Sequence, residues 1–250
     1  MPAPVEDPNK AAFLERVRGA LGRAEPITHT PDHPSLKTSM LRQEEKVRTI
    51  QAKAAARRQP NVERLAETAA AASWHVHRAS TSEMAAETVA EIVHRLGARL
   101  VVRSAEALFQ RVEVDAALRR HGLTSTVLAS GLSRRRSDLK AIAFEADVGI
   151  TGVSYAIAET ASCVVTPRKG VARLASLAPP VLVLIIEAEQ VLETLDDFFA
   201  LMRLEYQQGR GRSPNYYNFI SGPSRTADIE QTLTIGVHGP GEVHMVLVGD

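Results

Sequence analysis

Val181-Leu182-Val183-Leu184-Ile185-Ile186 is the stretch on which the fold turns. A strand with one wet face alternates apolar and polar side chains, whereas a strand covered on both faces is apolar throughout. This run therefore reads as a central strand of a buried sheet, and a helical pattern over residues 190–206 follows it. Working outward, the same alternation recurs. A helix from Asn61 runs to 72, a strand covers 74–78, and Ser80 with Glu83 has capping-box spacing for a helix through Leu96, closed by Gly97. Strands at 100–103 and 124–129, helices near 114–121 and 139–144, and strand material at 164–166 complete the series. Strands alternating with helices predict an α/β domain with a parallel or mixed sheet covered by helices on both faces, over residues 61–250.

Residues 1–60 have a different texture and form an N-terminal helical extension. Asp7-Pro8 suits a helix start, and Phe13, Leu14, Val17 and Leu21 share a helical spacing up to Gly22. Residues 23–39 carry prolines and no apolar period, which predicts a linker. Residues 40–58 favour helix but offer only Met40, Leu41, Val47 and Ile50 for burial, which predicts a weakly docked arm. Up to Pro60 there are 11 basic and 7 acidic residues, against 19 and 22 in the remainder.

Composition narrows the function classes. The 250 residues are 44% hydrophobic and 24% charged, with a formal net charge of +1, which argues against a chain-wide basic surface for nucleic acid. A single cysteine, Cys163, leaves no internal disulfide and cannot by itself ligate an iron–sulfur cluster, which generally takes four cysteines. With no run of 18 apolar residues and no signal pattern in residues 1–8, a cytoplasmic protein is expected. No fingerprint for a nicotinamide or flavin is present, so no cofactor of its own is expected.

Ligands of parallel sheets sit in loops at the carboxyl ends of strands, so the loops carry the candidates. Three loop-rich segments stand out: 149–166, 168–180 and 220–241. In the first, Thr151 and Gly152 precede Glu159 and Thr160 at the entry to an apolar strand. Glu159 fits a nucleophile or general base, and equally a carboxylate that binds backbone amides of a neighbouring turn. In the third, Ser221, Gly222, Ser224, Arg225 and Thr226 join a strand at 216–220 to an expected short helix. Free amides, hydroxyls and a guanidinium at such a junction hold a phosphate or carboxylate; the plainer reading is a helix cap with Arg225 paired to Asp228 or Glu230. His238 and His244 lack a recognised metal-ligand spacing, His75 and His77 share one strand face, Arg134 to Arg136 could contact phosphates but reads rather as a solvated loop, and Gly209 to Arg212 as a surface loop.

The segments GITGVSYAIAET (149–160), ARLASLAPPV (172–181), ISGPSRTADIE (220–230) and GVHGPGEVHMVLV (236–248) resemble the LUD domain of the lactate utilization protein C family. The resemblance covers roughly residues 70–250, and the family usually has glycine where this chain has Ala161. It implies a fold like the ribose-phosphate isomerase and CoA-transferase superfold, and a role as a non-redox subunit of a system oxidising L-lactate to pyruvate. Iron–sulfur clusters would then sit on partner subunits. The alternative it leaves is a stand-alone acyl or CoA-transferase-like, or sugar-phosphate-isomerase-like, enzyme using Glu159.

Overall fold

The computed structural model describes residues 8–22, 37–129, 135–168, 171–209, 216–227 and 233–249. The chain divides into two units, Met1–Ser39 and Met40–Asp250. In the first, helix α1 (Pro8–Ala20) begins with proline, as its fixed φ favours, and leaves Phe13, Leu14 and Val17 exposed. The expected linker falls largely outside the described residues.

The second unit opens with helices α2 (Met40–Ala56) and α3 (Arg58–Ala71). The parallel framework follows: β1 (His75–Ala79), α4 (Ser82–Arg95), β2 (Val101–Arg103), α5 (Leu108–Arg111), α6 (Val114–Arg120), β3 (Ser125–Val127), α7 (Arg136–Glu145) and β4 (Val148–Gly152). Next come β5 (Tyr155–Ile157), β6 (Ser162–Val165), α8 (Leu174–Leu177), β7 (Val181–Glu187), a 3₁₀ turn at Ala188–Gln190, β8 (Val191–Leu192) and α9 (Leu195–Gln208). The chain closes with β9 (Asn218–Ile220), β10 (Arg225–Ala227), β11 (Leu233–Ile235) and β12 (Glu242–Val248).

Six strands form one sheet in the order β1-β12-β7-β4-β2-β3, with every neighbouring pair parallel. Helices α4 and α6 cover one face, where Val89, Val93 and Leu118 pack on Val183, Ile185 and Val246. On the other face Leu65 and Ala69 of α3 meet Leu184, Ile186 and Met245, while α7 and α8 cover Val102. The interior of β7 is buried throughout, as its apolar run requires.

The 149–166 segment, expected as loop, is mostly strand. β5 and β6 form with β8 and β9 a second sheet, ordered β8-β5-β6-β9. Its alternation explains why two faces are dry: Ala156, Ala158, Cys163 and Val165 join the core under the main sheet, while Ile157 and Val164 face α9. Helix α2 lies on that outer side, where Gln43, Val47 and Ile50 are buried and the Gln43 amide donates to the Ala200 carbonyl at 2.7 Å. The arm expected to dock weakly is part of the core, because residues 43, 47 and 50 repeat every helical turn against α9. Two starts shift as well: Asn61 lies inside α3, buried, and Thr81 caps α4 by accepting from the Met84 amide at 3.2 Å. The helix expected from residue 190 starts at Leu195, where Thr194 and Asp197 form a capping box.

Candidate functional site

The chain leaves β2 toward the α4/α6 face, and leaves β4 toward the opposite one. The crevice between the carboxyl ends of these neighbours is thus the topological switch point of the sheet, where open α/β folds place ligands. Glu106 occupies it. One carboxylate oxygen, Oε2, accepts from Ser104 Oγ at 2.6 Å, Gly152 N at 2.7 Å and Thr151 Oγ1 at 2.9 Å. Ser104 and Thr151 are buried, and a side chain on Gly152 would meet Leu108 and the Glu106 carboxylate. Thr151 and Gly152, expected as ligand contacts, are therefore fixed by an internal carboxylate that the sequence reading passed over.

Beside this crevice two cavities open, sharing Arg168. The smaller, about 280 Å³, lies past the ends of β4 and β7 and is lined by Val153, Ser154, Tyr155, Thr166, Arg168, Gln190, Met202, Glu205 and Tyr217. Gln190 builds its wall: its amide donates to the Val153 carbonyl at 2.7 Å and its oxygen accepts from the Glu187 amide at 2.8 Å. Burial, with the nearby Glu205 charge, raises the Tyr155 phenol above its ordinary range, so it stays a neutral donor. The larger cavity, about 590 Å³, lies between α7 and residues 167–168 and 171–177.

The other expected residues are elsewhere. Glu159 Oε1 accepts from the Leu195 amide at 2.7 Å at the start of α9, a contact of the amide-binding kind, and Glu159 lines neither cavity. Thr160, Ser162 and Ser221 form a hydroxyl chain, with steps of 2.8 and 2.7 Å. No short helix begins at residue 225: Arg225–Ala227 is a strand paired antiparallel to Leu233–Ile235, with Thr226 opposite Thr234. Ser224 is held by that hairpin, its amide donating to the Pro240 carbonyl at 2.7 Å, and its hydroxyl accepting from the His238 amide at 3.3 Å. Gly222 has φ +134° and packs on the Ala72 carbonyl, while the exposed Arg225 guanidinium donates to Ser73 Oγ. The cluster 221–226 thus lines neither cavity and lacks the helix amides expected of it; Asp228 and Glu230 lie outside the described residues.

Ala161 is buried at φ +51°, the left-handed region where glycine is unstrained. The alanine holds a turn that glycine would make without strain. Burial pushes the Cys163 thiol pKa up, so it is a poor thiolate ligand or nucleophile.

His75, His77 and His244 gather at the amino end of β1 and β12. His77 Nε2 lies 3.1 Å from His244 Nδ1, and His244 Nε2 lies 2.8 Å from Glu242 Oε1. The contacts are satisfied when both Nε2 atoms carry protons. Burial, followed by the neighbouring His244, Arg95 and His75 charges, lowers the His77 pKa to about 4. Among the described residues no group of three His, Cys, Asp or Glu side chains has a geometry suited to a metal ion.

A family model for the LUD domain matches residues 62–248, the parallel sheet, the second sheet and both cavities' walls. This chain belongs to the LUD domain family. It is 37% identical over 106 residues to lactate utilization protein C of Halalkalibacterium halodurans, covering 42% of this chain and 46% of that protein. With lactate utilization protein C 1 of Bacillus mycoides it shares 29% identity over 171 residues, 68% of this chain and 72% of that one. The match spans about half the length of most of these curated relatives. A crystal structure of a DUF162 family protein from Deinococcus radiodurans has the same fold, with TM-score 0.54 and 21% identity over 77% of this chain and 98% of that one.

In this LUD domain the sequence reading missed Glu106, Gln190 and the wall residues Tyr155, Glu205 and Tyr217. Glu106 carried a usable signal: Ser104 and Glu106 directly follow an apolar strand at its carboxyl end. The walls carried none, since α9 and the second sheet meet there only in three dimensions. No described helix is long and apolar enough to cross a membrane.

Proposed function

We propose that this LUD domain serves lactate utilization as a cytoplasmic subunit that binds a small carboxylate, while iron–sulfur clusters on partner subunits carry the electrons. Family membership and the names of the relatives support the process. One buried cysteine does not offer the ligand set of such a cluster.

The observation that carries the site is Arg168 at the mouth of the 280 Å³ cavity, past the carboxyl ends of β4 and β7. A guanidinium takes a carboxylate by paired donors, the Ser154 and Thr166 hydroxyls and the neutral Tyr155 phenol line the same space, and Glu205 faces them. These neighbours favour Arg168 over Arg225 for the anion, since Arg225 is tied to Ser73 outside both cavities. The hairpin carrying Arg225 suits a partner instead, because Leu233, Ile235 and Val237 are 57%, 56% and 52% exposed.

A strain lacking this chain should lose growth on L-lactate and regain it with the parent sequence, but not with Arg168→Ala. Normal growth of the deletion strain refutes the role, and full rescue by Arg168→Ala refutes the assignment of the carboxylate to this cavity.

A further inference from the structure

The larger cavity has a different chemistry from the smaller. Its floor is apolar: Leu128, Leu139, Val171, Leu174 and Leu177 line it, continuous with the buried cluster under α7 and α8. Its rim is cationic, with Arg136 and Lys140 from α7 and Arg168 and Arg173 from the segment opposite. No carboxylate lines it among the described residues. Such an arrangement is unfavourable in an empty protein, because like charges gathered round one space repel. It stands out in a chain with 29 acidic residues for 30 basic ones. Elsewhere in the second unit, exposed cations recur in pairs, as in Arg111 with Glu187, Arg120 with Glu87 and Lys53 with Glu193. None of the four rim cations pairs with a described carboxylate.

Two of the four are also held in place by rings. The Arg173 guanidinium lies 5.1 Å from the Tyr216 ring centroid and the Lys140 ammonium 5.8 Å from that of Phe144. Each contact holds a long side chain against a surface and leaves its polar hydrogens available. The volume, about 590 Å³, is that of a pocket for a small organic molecule rather than for a lone inorganic ion.

From this cavity we infer a second binding site, for an organic phosphate ester: an apolar body on the leucine floor and a multiply charged head between α7 and the side chains of Arg168 and Arg173. A head with two negative charges matches a rim fed from both sides, and the apolar floor rejects a fully hydrated ion. The inference goes beyond the carboxylate reading, since Arg136, Lys140 and Arg173 line the larger cavity alone.

The test uses 1-naphthyl phosphate, whose naphthalene reports binding by fluorescence, with inorganic phosphate and 1-naphthol as its separate halves. The full chain should bind naphthyl phosphate at least tenfold more tightly than either half, and the affinity should fall as salt rises. Lys140→Glu and Arg136→Glu, both at exposed positions of α7, should each weaken it at least tenfold while circular dichroism and melting temperature stay at the parent values. Arg58→Glu, on α3 and paired with Glu189, should leave it unchanged. No binding, binding no tighter than that of inorganic phosphate, or α7 variants that bind as tightly as the parent overturn the inference. Growth on lactate is a separate readout: the Lys140→Glu variant failing to bind naphthyl phosphate yet supporting growth upholds this site and leaves the Arg168 reading standing.

Discussion

Glu106→Ala removes the acceptor on which the switch point is built. Three donors, from Ser104, Thr151 and Gly152, converge on one carboxylate oxygen at 2.6–2.9 Å. A hydrogen bond to a charged group contributes about 1.5–3 kcal/mol, and a buried donor left without an acceptor costs about 1–3 kcal/mol. The three do not add, because Thr151 Oγ1 already lies 3.0 Å from Ser104 Oγ and the hydroxyls can satisfy each other. The Gly152 amide has no such substitute. A loss of about 3 kcal/mol follows, or about 6–12 °C in Tm for a fold of this size. Glu106→Gln keeps an oxygen for the amide and should lose about half as much. Urea unfolding followed by circular dichroism, with the m-value checked for constancy, measures both. An Ala variant within 0.5 kcal/mol of the parent would show that water fills the crevice as well as the carboxylate does.

Further outcomes rest on separate features. Gly149→Ala places a Cβ 1.9 Å from the Ala175 carbonyl oxygen, so α8 must lift from β4; a loss of about 3 kcal/mol or more in urea unfolding is expected, and a neutral result would show that this packing is loose. Ala161→Gly relieves about 1–2 kcal/mol of left-handed strain but gives up a buried methyl, about 0.8 kcal/mol, and loosens the unfolded chain by about 0.4–1 kcal/mol. The near cancellation predicts a stability within about 1 kcal/mol of the parent, and a larger change either way contradicts it. For His77 the folded pKa, about 4, lies below its unfolded value near 6.5. The unfolded chain therefore binds the proton first, and the stability this histidine contributes is whole above pH 6.5 and lost as pH falls toward 4. Because the ring is half exposed, about 1 kcal/mol should disappear between pH 7.5 and 5, and His77→Gln should flatten that slope; an unchanged slope in the variant would assign it to other groups.

Read along the chain, the apolar run at 181–186 and the strands around it carried the fold, because burial on two faces leaves its mark on every residue of a strand. Amphipathic helices were legible for the same reason, and even α2 showed its buried positions, Val47 and Ile50, in its own period. What misled was local chemistry without a partner. Glycines and hydroxyls at 149–166 read as loop, yet Thr151 is a strand residue of the main sheet, and Ala156 and Cys163 belong to a second sheet that packs on it. Ser221 to Thr226 read as a helix entry, but pairing with 233–235 gave Arg225 to Ala227 an antiparallel neighbour. A carboxylate's role depends on which amides face it: Glu159 meets the start of α9 and Glu106 meets Gly152, and neither neighbour is close in sequence. The sequence by itself determined the layers, through hydrophobic period, and the supply of charges. Only the tertiary structure decided where cations stand without acids, because that depends on which segments the crossovers of a parallel sheet bring to the same edge.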